Sequence, residues 1–175
     1  RSSLVGSEMC IRDRAGAEQY DRLFTEAFIR PGLDPARWRN RSNYVALNVI
    51  PTGPAEMSIY HRSGDRYVLR TDGFVSVHAR SNQGELLTKP IAFAGSELSV
   101  NVATSAAGSL RVEICTVDGK PIPRFGLQDC VPVYGDAIER FVRWTRDGEL
   151  ASLAGRPVRL RFVLQECDLY SFQFQ

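Results

Sequence analysis

Along Gly155–Gln175, apolar and polar positions alternate. Val158, Leu160, Phe162 and Leu164 are interleaved with Arg159, Arg161 and Val163, and Tyr170, Phe172 and Phe174 with Ser171 and Gln173. A period of two gives a strand one face for a core and one for water. The pattern predicts two half-buried strands joined by a turn at Gln165-Glu166-Cys167-Asp168. A hairpin with this much apolar surface is not stable alone and calls for a second sheet.

Upstream segments supply one. Leu98, Val100 and Val102 fall on one face of Glu97–Thr104. Leu110, Val112 and Ile114 point inward along Ser109–Val117, with Arg111, Glu113 and Cys115 outward. A turn is expected between these strands at Ser105-Ala106-Ala107-Gly108. Ile138–Trp144 reads as another strand, and Phe74–His78 and Gly84–Lys89 as two more. Before Asp72, Tyr44–Ile50, Glu56–His61 and Arg66–Thr71 are β-rich, with Pro51-Thr52-Gly53-Pro54 breaking the first from the second. Short strands separated by turn signals predict an all-β protein, an antiparallel β-sandwich of jelly-roll type.

Composition narrows the function classes. The 175 residues carry a net charge of +2, too little for a nucleic-acid or anionic-membrane partner. No apolar run reaches the length of a membrane span. Ser2–Arg14 resembles a translated sequencing adapter, so residues 1–14 are expected to be an adapter-derived, disordered leader and the chain a C-terminal fragment. Setting that stretch aside leaves a near-neutral chain with Cys115, Cys130 and Cys167. Their irregular spacing gives neither a disulfide framework nor a zinc pattern, and a Cys130–Cys167 bridge stays open.

Several blocks carry a family resemblance: Arg41–Tyr44, Gly53–Tyr60, Leu69–Val77, Leu87–Pro90, Thr104–Ile114, Asp118–Pro123 and Asp168–Phe172. In these the chain resembles the C-terminal end of bacterial glycoside hydrolases of families 32 and 43. The resemblance implies a five-bladed β-propeller followed by a β-sandwich that packs on it. Residues 15–71 are then the last strands of a truncated propeller, and 72–175 the sandwich. Carbohydrate would be engaged by the propeller, whose first blade, with its nucleophile-type carboxylate, is not in this sequence. The fragment itself is therefore expected to be an inactive accessory domain. A carbohydrate-binding module, or a structural domain of a non-enzymatic propeller protein, is the alternative.

Glu56 is the candidate catalytic carboxylate, since it sits on an expected propeller strand. Glycoside hydrolysis needs a second carboxyl across the bond, and an exposed strand-start glutamate is the competing reading. Trp38, Tyr44 and Tyr60 are candidate sugar-stacking residues; blade packing explains them equally. His61 and His78 lack a paired acid or cysteine pattern, so no metal site or triad is expected, and no cofactor. Asp118, Asp129, Asp136 and Asp168 fall at turns without the density of a calcium loop. Arg111, Arg140, Arg143, Arg156, Arg159 and Arg161 are candidates for anion binding, against a solvated mixed-charge face.

Overall fold

A computed structural model describes residues 11–12, 21–22, 29–30, 32–33, 35, 45–61, 64–145 and 149–175. The fold is all-β and antiparallel, as the alternation requires. The chain divides into two compact units, Arg1–Leu69 and Arg70–Gln175.

In the first unit, two short strands, β1 (Ile11–Arg12) and β2 (Asp21–Arg22), pair with each other. A separate sheet has the order β3-β4-β5, with β3 at Ile50–Gly53, β4 at Glu56–Tyr60 and β5 at Arg66–Arg70. The expected strand over Tyr44–Ile50 is displaced: the ladder begins at Ile50 and runs through Pro51, which was expected to break it. A proline is tolerated because β3 is an edge strand, where one face of the backbone needs no ladder partner.

The second unit is a five-stranded sheet curled into a half-barrel. Its frame is two long strands, β8 (Leu98–Cys115) and β10 (Arg159–Phe174), paired antiparallel along their lengths. On the far edge of β10 lie β6 (Val77–Ala79) and β7 (Gly84–Leu87), end to end. β9 (Asp136–Phe141) pairs with the first half of β8. The expected turns at Gln165–Asp168 and Ser105–Gly108 are not turns. Both lie inside continuous strands, as β-bulges facing each other.

The reason lies in the spacing of apolar residues. Inward positions on β10 run Leu160, Phe162, Leu164, then Cys167 and Leu169, then Phe172 and Phe174. The step is two except from 164 to 167 and from 169 to 172. Register shifts fall at those two places, between Gln165 and Cys167 and between Leu169 and Ser171. One extra residue flips every later side chain to the other face, and a bulge absorbs it while bending the strand. Glu166 takes the left-handed conformation that this bulge needs, with φ 41°. Opposite it, Gly108 meets the Gln165–Glu166 backbone so closely that a Cβ would lie 2.3 Å from the Glu166 carbonyl oxygen. The bent strands thus fold one sheet around one core.

That core holds Leu98, Val100, Val102, Leu110, Val112, Ile114, Leu160, Phe162 and Leu164, all essentially inaccessible. Phe93 stacks on Phe174 with centroids 3.8 Å apart. The rest of the β8 edge is covered by the loop Pro121–Tyr134. Ile114 N–H donates to the Phe125 carbonyl, and Leu110 and Val133 exchange both backbone bonds. The loop buries Phe125, Cys130 and Val133. A 3₁₀ turn at Leu150–Leu153 adds Leu150 and Leu153. Glu113 and Cys115, outward by periodicity, are buried as well, because the loop covers that face: Leu127 N–H donates to Glu113 Oε2 at 3.1 Å.

Arg70 ties the start of this unit to three strands. It donates through Nε and Nη2 to Asn101 Oδ1 at 3.1 and 2.8 Å, and through Nη1 to Asp136 at 2.7 Å. Its guanidinium lies 4.2 Å from the Tyr170 ring centroid. Asn101, 2% exposed, completes its bonding by donating to the Thr71 carbonyl. A buried amide so fully partnered costs little to desolvate.

Candidate functional site

The bulges build a groove at the corner of the sheet. A cleft of about 460 Å³ beside them is lined by His78, Arg80, Thr104, Ser105, Glu166 and Asp168. β6 brings His78 beside Asp168 through the pairing of these two residues. His78 Nδ1 lies 3.0 Å from Asp168 Oδ1, within hydrogen-bond reach. Ser76 Oγ donates to the same carboxylate oxygen at 2.7 Å. Across the corner, Ser105 Oγ donates to Glu166 Oε2. Two carboxylates thus stand in an open cleft, each held on one oxygen by protein donors.

Among the described residues, the hydrogen bonds at this corner do not link a serine to the histidine. A nucleophilic triad needs an aspartate–histidine bond and a serine on the other imidazole nitrogen. The first link exists here. The second does not: Ser76 donates to Asp168, and Ser105 to Glu166. Oriented carboxylates and hydroxyls can each accept or share a hydrogen bond with a hydroxyl group.

The candidates expected from the sequence fall elsewhere. Glu56 lies on β4 in the first unit, where Arg66 Nη2 sits 2.8 Å from its Oε1 and Thr52 Oγ1 donates to the same oxygen at 3.0 Å. Arg66 also donates to Ser58 Oγ at 2.9 Å, so Glu56 belongs to a polar network across the sheet. Tyr60 lies half-buried at the end of β4. Trp38 and Tyr44 lie outside the described residues. His61 is near Asp65, with Nδ1 and Oδ2 3.9 Å apart, and packs edge-on to Tyr67.

The arginines divide by partner. Arg161 bonds Glu85 at 2.6 Å and the buried Glu113 at 3.2 Å. The hydrogen bond with Arg161 holds the Glu85 carboxyl below its usual range and raises the guanidinium in turn. Arg159 donates to the Val117 and Thr88 carbonyls. Arg143 pairs with Glu97 at 2.7 Å. Arg140 and Arg111 make no ion pair among the described residues.

All three described cysteines are free and buried, so no bridge joins Cys130 to Cys167. Burial pushes the Cys167 thiol up to about 12, helped by the Asp168 charge, and Cys115 up to about 11, helped by Glu113. Burial also raises Cys130. Among the described residues no group of histidines, cysteines and acids is placed to hold a metal ion. No described helix is long and apolar enough to cross a membrane.

Sequence reasoning passed over the corner groove, treating His78 and Asp168 as ordinary. The available signal was Ser76 and His78 two apart, hence on one strand face, together with the broken alternation at Glu166. Comparison with family models, curated proteins and solved structures finds no match.

Proposed function

We propose that this chain is an accessory C-terminal β-domain of a glycoside-hydrolase-like protein, and that its Arg70–Gln175 unit binds carbohydrate without cleaving it. The observation behind this reading is the corner groove, where Asp168 and Glu166 are oriented as acceptors by the hydroxyls of Ser76 and Ser105. The all-β fold and the sequence blocks resembling families 32 and 43 support the same assignment. In the parent protein, this unit would hold a polysaccharide beside the propeller that cuts it.

Binding and turnover separate the possibilities. The full chain, run in affinity gels containing neutral polysaccharides, is expected to be retarded by at least one of them and to release no reducing ends. Asp168→Asn, which keeps the shape but weakens the acceptor held by Ser76 and His78, should abolish the retardation. Release of reducing ends that depends on Glu56 would refute the non-catalytic reading. Free migration of the unaltered chain on every neutral polysaccharide would refute the binding one.

A further inference from the structure

A second cleft lies away from the corner, between Val131–Tyr134 and the end of β9 with the residues that follow it. It measures about 310 Å³ and is lined by Val131, Tyr134, Arg140, Phe141 and Arg143, with no carboxylate in its wall. That volume is at the small end of ligand pockets, which run from about 300 to 1,000 Å³. We infer that this cleft binds a sugar ring bearing a carboxylate, a hexuronate residue of an acidic glycan. The sugar part rests on the carbohydrate reading above; the acidic part does not.

Three features lead there. The first is an aromatic ring left in water on a rigid backbone. Tyr134 is 56% exposed. Its neighbours are clamped on both sides: Val133 and Leu110 exchange bonds at 2.8 and 3.0 Å, and Gly135 and Thr104 exchange two at 2.9 Å. Gly135 is at φ 96°, which permits the tight passage from Tyr134 into β9. An exposed ring whose backbone is already ordered loses little entropy when a ligand stacks on it.

The second feature is positive charge without a counter-charge. Arg140 makes no ion pair among the described residues, and its guanidinium is close enough to the loop that a Cβ on Gly135 would lie 3.8 Å from Nη2. Arg143, also in the wall, is held by Glu97 at 2.7 Å and over the Phe141 ring at 5.1 Å. A free guanidinium has the planar donor fork that matches a carboxylate. The third feature is apolar lining beside the Tyr134 ring, chiefly Val131, which is 43% exposed and suits the C–H face of a pyranose. A flat ring with one apolar face and one equatorial carboxylate meets all three.

The test titrates the full chain with a hexuronate oligosaccharide and with the neutral hexose oligosaccharide of the same linkage. The uronate is expected to bind roughly tenfold tighter or better at low salt, the size of one charge-assisted contact. The preference should shrink as salt screens the exposed guanidinium. Arg140→Ala should remove the preference, Arg140→Lys should keep part of it, and Tyr134→Ala should weaken uronate binding. Arg111→Ala, which alters an unpaired arginine outside the cleft, should change neither. Equal affinity for the two sugars would overturn the inference, as would a preference that survives Arg140→Ala in a protein with an unchanged melting curve. A sulfated glycan without uronate binding as tightly would overturn the choice of carboxylate. Neutral-sugar binding lost in Asp168→Asn but untouched in Arg140→Ala, with no uronate preference, would leave the corner groove standing and remove this site. Uronate binding through Arg140 without neutral-sugar binding would do the reverse.

Discussion

Replacing Gly108 with alanine puts a methyl group where β8 and β10 bulge against each other. The new Cβ would lie 2.3 Å from the Glu166 carbonyl oxygen, 2.8 Å from that of Gln165 and 3.0 Å from the Glu166 carbonyl carbon. All three are backbone atoms of one strand, so no side chain can swing aside. Relief requires the two strands to separate at the corner by about an ångström, the overpacking situation that costs about 1–3 kcal/mol. Alanine also stiffens the unfolded chain, which offsets about 0.4–1 kcal/mol of that. The net expectation is a loss of about 1–2 kcal/mol, and a melting temperature lower by roughly 5–15 °C for a unit of this size. The assay is urea and thermal unfolding followed by tryptophan fluorescence. Trp144 packs on Phe125 and donates to the Val112 carbonyl, so it reports on this unit's core. Gly126→Ala is the control, because a Cβ there meets only the amide end of the Gln128 side chain; it should cost much less. Unchanged or raised stability in Gly108→Ala would mean that Ser105–Gly108 does not pack against Gln165–Glu166. The corner and its groove would then be wrong.

Other outcomes follow from the same contacts. Arg161→Ala leaves the Glu113 carboxylate, 4% exposed, without its cation and should cost about 1–3 kcal/mol, well beyond the loss in Glu85→Ala, whose ion pair is exposed and screened by water; equal losses measured by urea denaturation would refute the difference. Because the folded-state pKa of Glu85 is lowered, its contribution is present above about 4.5, the unfolded value, and is lost as pH falls below it. The acid limb of a stability–pH curve should therefore flatten in Glu85→Gln. The three thiols should resist alkylation at pH 8 in native protein and react on denaturation. Their raised pKa values also mean that stability declines above about pH 9, where the unfolded thiols ionise first. Fast native-state labelling would contradict their burial. Glu56→Gln should leave activity on aryl glycosides at the buffer blank, as in the unaltered chain.

What was legible in the sequence was phase. Leu160, Phe162 and Leu164 announced a half-buried strand, and Leu98, Val100, Val102, Leu110, Val112 and Ile114 announced its partner. The breaks at Ser105–Gly108 and Gln165–Asp168 were legible too, but not their meaning. A turn and a bulge use the same local signals, a glycine or a left-handed residue and a slip in alternation. Only the partner strand decides between them, and here each break faces the other. The Pro121–Tyr134 loop had no period to read, yet it fills the place of a strand with Phe125, Cys130 and Val133. That cover is why Glu113, outward by alternation, is buried and bound to Arg161. The corner groove was illegible for a related reason: Ser76, His78, Ser105, Glu166 and Asp168 come from three segments that only the β6–β10 pairing and the facing bulges bring together.

The most direct test of the binding account is calorimetric titration of the full chain with neutral oligosaccharides, beside Asp168→Asn and Glu166→Gln. The account predicts saturable binding by the unaltered chain, loss of roughly tenfold or more in each variant, and no cleavage of the recovered sugar. Binding that both variants retain, or cleaved sugar in the cell, would contradict it.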